Sequence, residues 1–245
     1  MKKLLLAIAG TCVAANAIAQ DEPKPFTMDG EFGLIVTTGN TETSSATAGI
    51  TAQQELENWS NDYQIEGLYK QETVVQDDEE VERTSAQKFF ASAQGNYKLE
   101  NPDHRLFVFS SYEDDRFSNF AYQATLAGGW SQKMWKTEKT AFEYSVGPGY
   151  SWAETQAGVD NDSFIVRGSA AFKWFISDTA KFTQTASTEV GSENTKSRAE
   201  SALTATISGS LSMKVSLRLD HNSNVAEGVE KLDTETAVTL VYNFF

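Results

Sequence analysis

Cysteine is almost missing from this chain: of 245 residues only Cys12 is one. Everything after it is without disulfides and without a thiolate metal site, so the fold must be held by packing and backbone pairing. Histidine is nearly as scarce, with His104 and His221 the two present, and no Cys/His cluster or glycine-rich phosphate loop is found. Past the N-terminus no stretch reaches the ~18 consecutive apolar residues of a membrane helix. Positive charge is also thin. Lys and Arg total 20 against 34 Asp and Glu, for a net charge of -14, which makes nucleic acid a poor partner. No cofactor is implied.

The N-terminus reads differently from the rest. "MKKLLLAIAGTCVAANAIAQ" has Lys2 and Lys3, an apolar run from Leu4, and the small-residue site Ala17-Ile18-Ala19 before Gln20. That is the pattern of a bacterial secretory signal peptide. Residues 1–19 are therefore expected to be removed, with 20–25 as a short lead and 26–245 as one β domain. Loss of the two lysines and no acid takes the charge from -14 to -16. The "AGT" before Cys12 does not match a lipoprotein site, so no lipid anchor is expected.

From Phe26 onward the apolar residues recur with period two between Gly, Asn, Asp and Pro punctuation, and no helical period is sustained. In "FIVRGSAAFKWFI" the set Phe164, Val166, Gly168, Ala170, Phe172, Trp174 and Ile176 shares one face, opposite Arg167 and Lys173. "FAYQATLAGGW" aligns Phe120, Tyr122, Ala124, Leu126, Gly128 and Trp130 in the same way. "LSMKVSLRLD" sets Leu211 to Leu219 against Lys214, Arg218 and Asp220. The expected strands are 26–37, 44–57, 62–74, 84–99, 104–114, 119–134, 139–152, 163–177, 180–191, 197–211, 213–222 and 234–244.

A charge-free face suits either a soluble sandwich core or lipid. Three features favour lipid. Small residues such as Ala91, Ala93 and Gly95 sit mid-strand, where a core wants volume. Trp59, Trp135 and Trp174 stand beside short turns, and Trp152 and Phe117 beside long loops, as in the two aromatic girdles of a membrane barrel. Short turns also alternate with long acidic connections. The fold expected is an all-β transmembrane antiparallel barrel of about 12 strands, whose even count puts both termini on the periplasmic side. A soluble periplasmic β-sandwich binding protein is the alternative. The chain ends "LVYNFF", with Tyr242, Phe244 and Phe245 forming a terminal aromatic strand of the kind read by the barrel-assembly machinery. Val238, Leu240, Tyr242 and Phe244 make the better lipid-facing set, leaving Phe245 one residue out of step.

In order along the chain, "GEFGLIVTTGNTETSS", "YEDDRF", "GPGY", "HNSN" and "LVYNFF" resemble the YdiY-like, putative salt-induced outer-membrane proteins, a barrel family of unknown function. The resemblance covers nearly all of residues 26–245. It implies a place in the Gram-negative outer membrane, among its lipids and lipopolysaccharide, a non-enzymatic structural or pore-type role linked to salt or envelope stress, and no particular substrate or protein partner.

Lys or Arg facing lipid at mid-depth costs roughly 2–4 kcal/mol, so Glu66, Lys70, Lys88, Lys98, Glu143, Arg167, Lys173, Lys181, Glu189, Arg218 and Asp220 are expected to face the lumen. Either a narrow aqueous pore or a salt-bridged filling satisfies them. The acidic run beginning Asp77, Asp78, Glu79, Glu80 offers oxygens suited to a divalent cation but lacks a calcium loop's spacing, and charge runs are usually solvated surface. In "HNSN", His221 and Ser223 share the face of Leu217 and Leu219. This resembles the His-x-Ser pair of outer-membrane phospholipase A and lipid A deacylase, which implies Ser223 as nucleophile, His221 as base and Glu235 as the orienting acid of a lipid hydrolase. The plain alternative is that "HNSN" begins an outer loop with turn-forming residues.

Overall fold

The computed structural model describes residues 25–37, 43–76 and 79–245. The expected signal peptide, Asp77 and Asp78 lie outside the described residues, as do the side chains of Glu79 and Glu80. Twelve strands follow one another: β1 Phe26–Thr37, β2 Thr43–Glu55, β3 Trp59–Gln76, β4 Glu79–Lys98, β5 His104–Asp115, β6 Phe120–Lys136, β7 Thr140–Thr155, β8 Ser163–Ser177, β9 Ala180–Gly191, β10 Thr195–Ser208, β11 Leu211–Asn222 and β12 Leu232–Asn243. Each pairs antiparallel with its sequence neighbours, and β1 pairs with β12, so a single sheet closes on itself. Closure leaves no sheet edge to cover, and one closed sheet rules out the two-sheet sandwich.

The closing seam is short. β1 and β12 pair over Asp29–Phe32 against Leu240–Asn243, whereas β1 and β2 pair along the whole of Phe26–Thr37. Connections at the end bearing both termini run two to five residues, while those at the other end include the stretch between Asn222 and Leu232. At the terminal end the rings of Phe26 and Phe245 lie 5.8 Å apart.

Strand alternation divides the side chains into two sets. Leu34, Ile65, Val108, Val166, Leu203, Leu217, Val238 and Leu240 are exposed on the outside. Phe164 is the extreme, 83% exposed. Large rings mark the two ends of this apolar surface. On β8, Phe164 and Trp174 stand ten residues apart on one face, and on β7 Trp152 and Phe142 repeat the interval. Ten steps of ~3.3 Å on a strand tilted ~40° rise ~25 Å, the height of a membrane barrel's apolar band.

The inward set is mostly polar and charged; its buried apolar side chains include Phe107, Phe109 and Ala127, packed together, and also Phe90 and Ile165. Phe120 joins the inward side, which corrects the simple alternation from Phe120 to Trp130. The register between β6 and β7 slips between Phe120 and Tyr122, and the extra residue of that bulge turns Phe120 inward to 2% exposure. Tyr122 through Trp130 keep the outward face. Glycine matters most where β6 and β7 approach. A Cβ on Gly149 would lie 2.6 Å from the Leu126 carbonyl oxygen and 2.8 Å from the Ala127 Cβ, so only hydrogen fits.

Candidate functional site: the charged lumen

Strand register places the expected lumenal residues. Glu66 faces inward beside Gly49, and Lys70 shares its face. Lys98 lies across from Arg105 and pairs with Glu55 at 2.6 Å. Arg167 lies across from Glu189, 3.5 Å away, with its guanidinium 3.6 Å above the Phe109 ring. Glu143, Lys173 and Lys181 face inward near the terminal end.

Two ion-paired groups occupy the rest. The first joins opposite walls of the barrel towards the end away from the termini. Glu113 on β5 accepts from Arg198 at 2.7 Å and Lys196 at 3.2 Å on β10, and lies 3.7 Å from Lys88 on β4. Lys88 reaches Asp220 on β11 at 3.0 Å, Asp220 also receives Arg198, and Asp115 stands 4.0 Å from Lys88. The side chains of Glu113 and Asp220 are only 11% and 12% exposed. Charges so withdrawn from water are tolerable because each has several partners. Arg198 also rests 4.7 Å above the Phe90 ring.

The second group centres on Arg218, which pairs with Glu66 and Glu200 at 2.7 Å each and has Glu235 at 4.0 Å. Lys214 adds Glu31 at 3.0 Å and Glu200 at 3.3 Å. Beside this group is a cavity of about 30 Å³ lined by Glu31, Glu66, Lys214, Arg218 and Glu235, room for about two waters.

Several members of these groups are not among the residues expected to face the lumen. Lys196, Arg198 and Glu200 alternate strictly in "TKSRAES" and so carried a readable signal. Glu113 and Asp115 did not, because they flank Asp114 in an unbroken acidic run from which no parity can be drawn.

The residues of the hydrolase reading are placed apart. His221 pairs in register with Leu232 on the outer face. Glu235 is across from Arg218 on the inner face, so it does not orient the imidazole. The Ser223 hydroxyl donates to Asn194 Oδ1 at 3.2 Å and accepts from the Thr195 N–H at 2.8 Å. Asn194 Oδ1 also accepts the Asn224 N–H at 3.1 Å, and its amide donates to Asn222 at 2.8 Å. The motif thus fastens the start of the β11–β12 connection onto the β9–β10 turn. Farther along, the Ala226 N–H donates to Asn119 Oδ1 at 2.8 Å, tying that connection to the β5–β6 turn. Among the described residues no group of His, Cys, Asp and Glu is arranged to hold a metal ion.

Comparison with solved structures finds the NanC porin, with a TM-score of 0.49 and 9% identity over 88% of this chain and 98% of that one. The COG4313 outer membrane channel from Pseudomonas putida F1 follows at 0.48 and 9%, over 89% and 94%. Likeness at this level says nothing about what this lumen binds or passes. Among curated proteins, "Uncharacterized protein YdiY" of Escherichia coli (strain K12) is 25% identical over 252 residues, covering 98% of this chain and 96% of that protein. The order of motifs, the single closed sheet and a match running over residues 30–244 agree: the chain belongs to the family described as Protein of unknown function, DUF481.

Proposed function

We propose that the protein is an integral β-barrel of the Gram-negative outer membrane, exported by its N-terminal signal, with a non-enzymatic structural or narrow-pore role in the envelope. Its apolar exterior, with ring-bearing ends ~25 Å apart, meets outer-membrane lipid, and lipopolysaccharide on the outer side. Tyr242, Phe244 and Phe245 serve as the signal to the assembly machinery. The link to salt or envelope stress rests on the resemblance of sequence alone.

The observation that supports a filled lumen over an open one is the chain of bonds between opposite walls, Arg198 to Glu113 at 2.7 Å and Lys88 to Asp220 at 3.0 Å. A general diffusion pore keeps its centre free. This barrel holds its walls together there, so its resting state is closed to all but very small ions. The assay is single-channel recording of the folded full-length protein in planar bilayers. The expected result is little or no steady current from wild type and larger, longer openings from Glu113→Gln. A large, steady, ohmic wild-type conductance refutes the closed lumen. Recovery in the soluble periplasmic fraction, with electrophoretic mobility unchanged by boiling, refutes the membrane barrel.

A further inference from the structure

The lumen is not uniform along its axis. In its outer part the cations Lys88, Arg167, Lys196 and Arg198 each have a carboxylate within 4 Å. Near the terminal end the pattern changes. Lys133, Lys136, Lys173 and Lys181 share the inward face, and among the described residues none has a carboxylate at ion-pair distance.

Register brings them together. Lys136 and Lys173 flank Ala141 in one row across β6, β7 and β8. Lys173 is opposite Thr183 on β9, which makes Lys181 its diagonal neighbour on the same face, roughly 7–8 Å away. Like charges placed so repel. The inward carboxylates acting on them are Glu143, the cross-strand partner of Lys133, Asp62 on β3, which faces Lys173, and Glu55, which faces Lys133 but is already paired with Lys98. With Arg105 also at this level, the group keeps an excess of positive charge. Water reaches this level. Glu143 and Thr185 both face inward yet are exposed, unlike the outer group, whose Lys88 is 13% exposed. The turns at this end are too short to cover the opening.

We infer that Lys136, Lys173 and Lys181, with Lys133 at the margin, form a binding site for a small multivalent oxyanion, a compound carrying two or more phosphate or carboxylate groups, entering from the periplasmic end. Such a ligand relieves the repulsion between lysines on adjacent strands and takes several charge-assisted hydrogen bonds at once. A univalent anion gains little over water. The site stands on the geometry of the lumen and does not depend on whether the barrel conducts.

Isothermal titration of the full-length protein, folded in detergent micelles at physiological salt, tests it with pyrophosphate and, separately, citrate. Saturable binding of at least one is expected. In the Lys173→Gln/Lys181→Gln double variant that binding weakens about 10- to 100-fold, the loss expected for charge-assisted contacts. Lys139→Gln, in the turn between β6 and β7, leaves it unchanged. Binding of pyrophosphate alone supports a phosphate ligand, and of citrate alone a carboxylate. A second reading comes from urea unfolding without ligand, where relief of repulsion keeps the double variant at or above the wild-type midpoint. Absence of saturable binding by both anions, wild-type affinity in the double variant, or a lowered midpoint overturns the inference.

Discussion

Glu113 is the residue whose loss should be felt most. Its carboxylate receives Arg198 at 2.7 Å and Lys196 at 3.2 Å and stands 3.7 Å from Lys88, while its side chain is 11% exposed. Glu113→Gln keeps the shape and removes one charge. The cations Lys88, Lys196 and Arg198 then share only Asp220 and Asp115, and Lys196 is left with no carboxylate within 4 Å among the described residues. Breaking a buried pair by removing one partner costs about 3–5 kcal/mol. The Gln amide oxygen still accepts one hydrogen bond, which places the expectation at the low end, about 3 kcal/mol. Urea unfolding of protein folded in lipid vesicles, followed by tryptophan fluorescence, measures it. A double-mutant cycle sharpens the test. Lys196→Met in the Glu113→Gln background removes the stranded charge, so the two changes together should cost less than their sum by about 0.5–3 kcal/mol. A Glu113→Gln variant within 0.5 kcal/mol of wild type, or a strictly additive cycle, refutes the network as described.

Val166 is 55% exposed on the outer face of β8, so Val166→Arg should destabilise the vesicle-inserted protein by about 2–4 kcal/mol in the same unfolding assay, where a soluble surface site would give almost nothing. Gly149→Ala forces a methyl to within 2.6 Å of the Leu126 carbonyl oxygen, and a loss of about 1–3 kcal/mol is expected from the overpacking, read from the urea midpoint. Asn194→Ala removes the contacts to Ser223, Asn224 and Asn222, so limited proteolysis of intact cells should cut the β11–β12 connection several-fold faster while the barrel survives. Equal cutting rates would show that the connection is held by other contacts.

Much of the fold was legible in the sequence because a strand's side-chain period of two is local and rigid. "FIVRGSAAFKWFI" and "LSMKVSLRLD" assign their own inner and outer faces, and the spacing of turns assigns the strand count. What the sequence could not give was anything that depends on a break in that period or on distance through space. The bulge beside Ala121 turned Phe120 inward, and a single inserted residue leaves no mark on composition. The "HNSN" motif invited a catalytic reading since His221 and Ser223 share a face, yet the Ser223 hydroxyl found its partners on the neighbouring turn, at Asn194 and Thr195. Glu113 and Arg198 are 85 residues apart, and no local pattern announces that pairing. The alternation of charge and apolar residues, joined to the small mid-strand residues, the aromatic strand ends and the alternating connections, was enough within the sequence to point to a barrel with a polar interior, because in lipid backbone hydrogen bonding admits few other solutions. Only the tertiary structure decided which charges meet across the lumen and which lysines near the terminal end have no carboxylate at ion-pair distance among the described residues, since those depend on strand stagger and closure.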